Sequence, residues 1–278
     1  MKKKRIVIKI GTAVLTYPSG ILNENVIRRL VKEIESLLEK GNEIILVTSG
    51  AIGAGLGKLN LKGRSISARQ VLASIGQSHL MGVYGRCFAA YDRLVGQVLL
   101  TGDDLSSRER YLNARNTIMK LLDLGVIPII NENDTVAVEE IKFGDNDFLS
   151  ALVAAKVEAD MLILLSDVDG FYERDPRMKE NPKLIREIRS ITPGLERRAG
   201  GKGTERGTGG MISKLNAARI ATACGIDTFI ANGKKKGVLS GIIDGKPVGT
   251  RFLPCGKKLI LRENLIAFEI RKAMKRKY

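Results

Sequence analysis

Histidine is nearly absent from this chain of 278 residues, which has one, His79, and no tryptophan. A lone histidine in a helical stretch reads as surface or packing, and a Ser/His/Asp hydrolase would lack its base. Cysteine is as sparse: Cys87, Cys224 and Cys255 lie far apart, show no C-x-x-C spacing and number an odd three. Neither a disulfide framework nor a zinc site follows from them, and a reducing compartment, the cytoplasm, fits best. His/Cys metal cages are missing too, so the expected metal is Mg²⁺ carried in by a nucleotide, with no protein ligand set of its own. No apolar run reaches the roughly 18–20 residues that cross a bilayer. The basic start Met1–Arg5 leads into an Ile/Val segment with no cleavage site, so it reads as a first strand and no membrane partner is expected.

What is present is ordinary for a globular protein: 44% hydrophobic and 27% charged residues, enough chain for one large α/β domain or two small ones. The net charge of +16 gathers at Lys2–Arg5, at Arg271–Lys277 and between Arg197 and Arg206. With neither an aromatic stripe nor a nucleic-acid motif beside it, that charge reads as solvated surface or attraction of anionic substrates ahead of nucleic acid.

Periodicity predicts strands over 4–10, 43–48, 94–100, 126–131, 160–165, near 184–188 and over 226–231. Helices are expected over 24–40, about 65–90, 108–124, 146–157 and 211–224. Strands separated by helices imply right-handed crossovers, hence an α/β fold: a three-layer αβα sandwich around a mostly parallel sheet. The Gly/Lys/Arg-rich stretch 197–210 is too polar for core and reads as a mobile loop, and the end of the chain reads as a basic segment.

In such sheets ligands bind at the carboxyl ends of the strands. The residues found there are Lys9, Gly11 and Thr12, then Ser49, Gly50 and Gly53, then Asn131–Asp134, then Ser166 and Asp167. Hydroxyls, amides, carboxylates and small residues thus collect with one lysine on one edge, a set suited to handling anions. Gly207-Thr208-Gly209-Gly210-Met211 feeds a helix whose first turn holds Lys214, where backbone N–H groups and the helix dipole suit phosphate. The Walker spacing is absent: around Gly57-Lys58, Ile52 stands where its first glycine belongs and Leu59 where its hydroxyl belongs. Taken alone the glycine turn is equally well a plain flexible loop. Asp145, Asn146 and Asp147 sit where a turn enters a helix. One of them as an N-cap accounts for one residue of the three; an Asp-Asn-Asp set near Lys9 would also orient lysines and bind a substrate ammonium group.

Seven segments occur in one order: VIKIGTAVLT (7–16), VTSGAIGAG (47–55), QVLLTGDDL (97–105), RYLNARNTI (110–118), PIINENDTVAVEEIKFGDND (128–147), LLSDVDGFYERDPR (164–177) and GTGGMISKLNAA (207–218). On these the chain resembles the amino acid kinase family over roughly residues 5–252. PIINENDTVA followed by GDND resembles the members that phosphorylate the γ-carboxylate of glutamate, and sets the chain apart from acetylglutamate, carbamate and uridylate kinases. Ser166 and Phe171 stand where the family often has Thr and Leu, conservative departures.

The resemblance implies ATP and Mg²⁺, with Lys9 and Lys214 stabilising the transferring phosphoryl group and Asp147 holding both lysines. It implies glutamate bound by Ser49, Asp134 and Asn146 with the amides of Gly50 and Ala51 near its carboxylate. It also puts the nucleotide against Lys9, Gly11, Ser166, Asp167, Thr208, Gly209, Gly210, Met211 and Lys214. A homo-oligomer, dimer or tetramer, is implied as well, with 65–90 a candidate interface, and so are proline as a feedback inhibitor and hand-over of the labile product to a glutamyl phosphate reductase. Domains are expected as a kinase domain over 1–253 and a basic segment over 254–278, too short for the C-terminal PUA domain that many members carry. Two alternatives stay open: a same-fold kinase for another small acceptor, and a basic nucleic-acid-binding derivative without activity.

Overall fold

The computed structural model describes residues 3–59, 65–136, 146–174, 182–199 and 210–255. Among them the chain runs β1 (Arg5–Ile10), α1 (Thr12–Leu15), α2 (Glu24–Glu39), β2 (Glu43–Thr48), α3 (Ala51–Leu56), α4 (Ile66–Ala89), β3 (Val95–Leu100), α5 (Gly102–Ser106) and α6 (Arg108–Asp123). It continues with β4 (Ile127–Glu132), α7 (Asn146–Lys156), β5 (Met161–Ser166), β6 (Glu187–Ile188), α8 (Pro193–Ala199), α9 (Met211–Ala223), β7 (Asp227–Asn232), α10 (Val238–Ile243) and β8 (Thr250–Phe252). The strands form one sheet in the order β3-β4-β2-β1-β5-β7-β8-β6. All its pairings are parallel except that of β7 with β8.

The sheet is covered on both faces, and the period of two along a strand sorts its residues between them. Ile6, Ile8 and Ile10 of β1, Ile44 and Leu46 of β2 and Ile163 and Leu165 of β5 pack with Ile27, Leu30 and Ile34 of α2 and Leu80 and Tyr84 of α4. Val7, Ile45, Val47, Leu162 and Leu164 point the other way, against Leu149, Leu152 and Val153 of α7 and Leu215, Ala218 and Ala221 of α9. Each such aliphatic side chain taken fully from water contributes about 1.5–3 kcal/mol. Lys9 has the parity of Val7, so the same alternation aims it at the α7/α9 face.

Helix starts follow local chemistry. Asn23 caps α2 by accepting from Val26 N–H at 3.2 Å, and Ser65 caps α4 by accepting from Ala68 N–H at 3.2 Å. Thr101 and Asp104 form a capping box on α5. The α3–α4 crossing depends on two glycines: a Cβ on Gly76 would meet Ala51 O at 1.7 Å, and one on Gly55 would meet Leu72 O at 2.0 Å.

Most predicted elements agree with these to within a residue or two. The expected loop over 197–210 is corrected at its start, where Arg197–Ala199 form the last turn of α8; residues 200–209 lie outside the described residues. The stretch after 231 contains α10 and the antiparallel strand β8, which the reading as a plain basic segment missed. The α10 start is capped from a distance, with Gly237 N–H donating to Glu33 Oε1 at 2.8 Å and Leu239 N–H to Glu33 Oε2 at 2.9 Å. Among the described residues, no helix is long and apolar enough to cross a membrane.

Candidate functional site

Lys9 leaves the end of β1, Asp147 sits in the first turn of α7 and Lys214 in the first turn of α9, and the three side chains meet. Lys9 Nζ is 2.6 Å from Asp147 Oδ1 and Lys214 Nζ donates to Asp147 Oδ2 at 3.0 Å. Asp147 is fully buried, and the two lysine side chains are 6% and 8% exposed. Burial pushes the Asp147 carboxyl up, but the Lys9 and Lys214 ammonium groups outweigh it and hold the group below the usual carboxylate range. Ser213 Oγ donates to Asp147 Oδ2 at 3.1 Å, and Ser150 Oγ donates to the Asp147 carbonyl at 2.6 Å. Two cations on one buried anion leave a positive surplus, held where water screens it poorly.

Beside this triad lies an amide cluster. Asn146 Nδ2 donates to Ser49 Oγ at 3.0 Å and to Asn131 Oδ1 at 2.9 Å, so α7 is tied to the ends of β2 and β4. Gly50 bends the chain between β2 and α3 with φ +94°, a left-handed conformation that glycine adopts without strain, and Ala51 opens α3. Asp134 stands in the turn after β4.

On the other side of β1, Gly11 N–H donates to Leu165 O at 3.0 Å. A Cβ there would approach that carbonyl to 3.2 Å and Lys9 Nζ to 3.8 Å, so the missing side chain leaves the floor beside Lys9 low. Ser166 Oγ donates to Asp167 Oδ1 at 3.1 Å at the end of β5. Asn232 at the end of β7 donates to Asp169 Oδ1 at 2.9 Å, and Lys235 Nζ lies 2.7 Å from Asp169 Oδ2. The hydrogen bond from Lys235, with that from Asn232, outweighs burial and holds the Asp169 carboxyl below its ordinary value. Gly210 is the N-cap of α9 and makes no side-chain cap, so the first N–H groups from Met211 onward receive no side-chain oxygen there. Thr208 and Gly209 lie outside the described residues, as does Asp145.

The structure therefore brings Lys9, Asp147 and Lys214 together. It puts Ser49 and Asn146 in contact, and sets Gly11, Ser166 and Asp167 along the same carboxyl edge of β1, β2 and β5. Sequence reading passed over Ser213, Asn131 as a side-chain partner, Gln77, Asn232, Asp169 and Lys235. Ser213 had a signal, being the hydroxyl next to Lys214 on a helix first turn; Asn232 and Asp169 follow strand ends, where the same rule finds them. His79 stands half-buried on α4, where burial first and then Lys58 lower its pKa. Among the described residues no group of three or more His, Cys, Asp or Glu gathers as a metal cage.

Comparison with known proteins gives this geometry a lineage. The profile of the amino acid kinase family matches residues 4–232. A glutamate 5-kinase of Thermoanaerobacter sp. (strain X514) is 51% identical over 266 residues, covering 95% of this chain and 72% of the relative. One of Clostridium acetobutylicum is 49% identical over 255 residues, 91% of this chain and 96% of the relative. The fold is shared with a carbamate kinase of Giardia lamblia solved with AMP-PNP, at a TM-score of 0.66 and 19% identity over 91% of this chain and 99% of that one. A UMP kinase of Bacillus anthracis shares it at a TM-score of 0.62 and 19% identity over 90% and 96%. The α/β fold, the parallel sheet and the extent of these matches agree, and the chain belongs to the amino acid kinase family, in the branch of its glutamate 5-kinases.

Proposed function

We propose that this chain transfers the γ-phosphoryl group of ATP to the γ-carboxylate of L-glutamate, giving L-glutamyl 5-phosphate, the first step of proline biosynthesis. The observation that carries this reading is the buried Asp147 carboxylate with Lys9 on one oxygen and Lys214 on the other. A glutamate carboxylate, with a pKa of about 4.3, is ionised at neutral pH. One of its oxygens attacks the γ-phosphorus, the bond from that phosphorus to the ADP oxygen breaks, and ADP leaves. No general base is required, which suits a site built without histidine. The chemistry then asks for in-line positioning and for positive charge that neutralises the equatorial and bridging oxygens. Lys9 and Lys214 supply the charge, and Asp147 keeps both ammonium groups from drifting onto solvent or onto each other's partners.

Glutamate is held by Ser49, Asp134 and Asn146, with the Gly50 and Ala51 amides toward its carboxylate. The nucleotide lies over Gly11, Ser166 and Asp167, its phosphates at Thr208–Met211 and the α9 N-terminus. The fit is chemical: a glycine floor at Gly11, a helix start at Gly210 without a side-chain cap, and two lysines. Mg²⁺ carried in by the nucleotide would supply further charge neutralisation at the phosphates, beside that from Lys9 and Lys214. On the same reading residues 1–253 form the kinase domain, the enzyme works in the cytoplasm as a dimer or tetramer, proline inhibits at a site overlapping that of glutamate, and a reductase takes the product.

The test is ATP turnover with Mg²⁺ and hydroxylamine present, which traps an acyl phosphate as its hydroxamate. Glutamate, aspartate, N-acetylglutamate and no acceptor are compared. Hydroxamate is expected with glutamate and lost in Lys214→Ala. Folded protein that binds ATP yet yields no glutamate hydroxamate would overturn the proposal.

A further inference from the structure

Asn146 meets its neighbours through an amide whose two ends differ, and the chain of contacts behind it settles which end faces where. The starting point is a backbone group: Glu132 N–H donates to the Asn131 side chain at 2.9 Å, so the atom that receives it is the Asn131 oxygen. That oxygen also receives Asn146 Nδ2 at 2.9 Å, and Asn146 Nδ2 spends its other hydrogen on Ser49 Oγ at 3.0 Å. Both N–H groups of Asn146 are then committed. Its Oδ1 is a buried acceptor with no partner among the described residues.

On the far side of Asn131, the Nδ2 that this orientation leaves free donates to Gln77 Oε1 at 2.8 Å. Gln77 is 8% exposed and Asn131 1%, so water is not the alternative partner for either contact. Gln77 is the polar member of a buried stripe on α4 that includes Ala73, Leu80 and Tyr84. The residue before it, Gly76, lets α4 touch Ala51 O of α3, so helix register as well as side-chain packing holds Gln77 in place. A buried acceptor left unmatched costs about 1–3 kcal/mol. Asn146 Oδ1 is therefore a cost to the unliganded protein that a donor from outside would relieve.

We propose that Gln77 is a positioning residue that, through Asn131, fixes Asn146 with its amide oxygen presented to the acceptor substrate, where it receives the α-ammonium group. This rests on glutamate being the acceptor. Gln77 touches neither the substrate nor the reacting atoms; together with Glu132 N–H, which holds the other end of the amide, it keeps Asn131, and with it Asn146, in this orientation. A site set this way selects a donor-bearing ligand and rejects an analogue without one, because that analogue leaves the oxygen unmatched.

The experiment uses the purified full chain with glutamate and with glutarate, which has the same carboxylates but no ammonium group, glutarate being read as substrate or as competitive inhibitor. In Gln77→Met, which removes the acceptor for Asn131 Nδ2 at similar volume, the glutamate KM rises about tenfold, the loss expected for one hydrogen bond to a charged group. The loss falls on KM more than on kcat, and the glutarate constant stays put. Gln77→Glu keeps a carboxyl oxygen for Asn131, and the Nε2 donor it gives up has no partner among the described residues; it returns the glutamate KM toward the wild-type value. Should Gln77→Met fail to fold, Gln77→Ala carries the same comparison. A glutamate KM within twofold of wild type, or equal losses for glutamate and glutarate, overturns the inference while leaving the proposed reaction standing. Wild-type protein that makes no glutamate hydroxamate sinks both.

Discussion

The Lys9 ammonium stands 2.6 Å from Asp147 Oδ1, a strand-end cation on a helix-start anion, both side chains almost wholly buried. Losing the carboxylate while keeping its shape tests what that contact does. Asp147→Asn leaves two lysines without their common anchor, and kcat for glutamate phosphorylation should fall by about 10²–10³, the loss typical of one preorganised charge-stabilising group. Steady-state hydroxamate formation reads it; a variant within twofold of wild type would mean the lysines hold their places unaided.

The same residue matters to folding. Asp147→Ala strands two nearly buried ammonium groups, and breaking a buried pair from one side costs about 3–5 kcal/mol. Urea unfolding should show that loss for Asp147→Ala. A drop under about 1 kcal/mol, the value of an exposed pair, would show that solvent reaches the lysines easily.

Acid should erase the difference between wild type and Asp147→Asn. The folded Asp147 carboxyl lies below its unfolded value, with burial opposing and Lys9 and Lys214 prevailing. Its contribution is therefore complete above the unfolded pKa of about 4 and is lost as pH falls through the folded value. The gap in unfolding free energy between the two proteins should stay level from neutral pH to about pH 5 and then narrow. A gap that narrows already between neutral and mildly acidic pH, or widens on acidification, contradicts the assignment.

Two glycines of α4 should respond in opposite directions to one methyl group. Gly76→Ala drives a Cβ into Ala51 O at 1.7 Å, and the forced separation of α3 from α4 should cost about 1–3 kcal/mol or more. It should also raise the glutamate KM, since α3 begins at Ala51. Gly85 has nothing within 4 Å of its would-be Cβ, so Gly85→Ala should stabilise the helix by up to about 1 kcal/mol with kinetics intact. Thermal melts of the pair decide; equal shifts would place the close approach elsewhere.

The fold was legible where periodicity is strong. α2, with Ile27, Leu30, Val31, Ile34 and Leu37 all buried, and β1, alternating between the two core layers, carry their class in their spacing. Short elements were missed. α5 spans five residues, and its Thr101–Asp104 box was a local signal that went unread; the others had none. α10 takes its cap from Glu33 on another helix, and β8 is a strand of three residues with its Arg251 exposed and ion-paired to Asp227. Such contacts are tertiary and leave no local pattern. At the site, the strand-end rule together with the family resemblance reached Lys9, Ser49, Asn146, Asp147 and Lys214. Gln77 escaped because its clue is one amide among apolar neighbours on a helix, which sequence alone cannot tell from a solvent-facing position.

Among the described residues β6 joins the sheet only through β8, and Thr250 of β8 accepts from Phe171 N–H at 2.7 Å while its hydroxyl donates to Ile185 O at 2.6 Å. During synthesis, then, Glu187–Ile188 leave the ribosome well before the strand that will receive them. The central strands β1, β2 and β5 can pair as they emerge, but the edge beyond β7 waits for Thr250–Phe252 and closes across α9 and α10. Long-range closures of this kind are slow and leave strand edges open meanwhile, so the β7–β8–β6 end of the sheet, against which α9 with its Lys214 packs, is the end that waits longest for its partners.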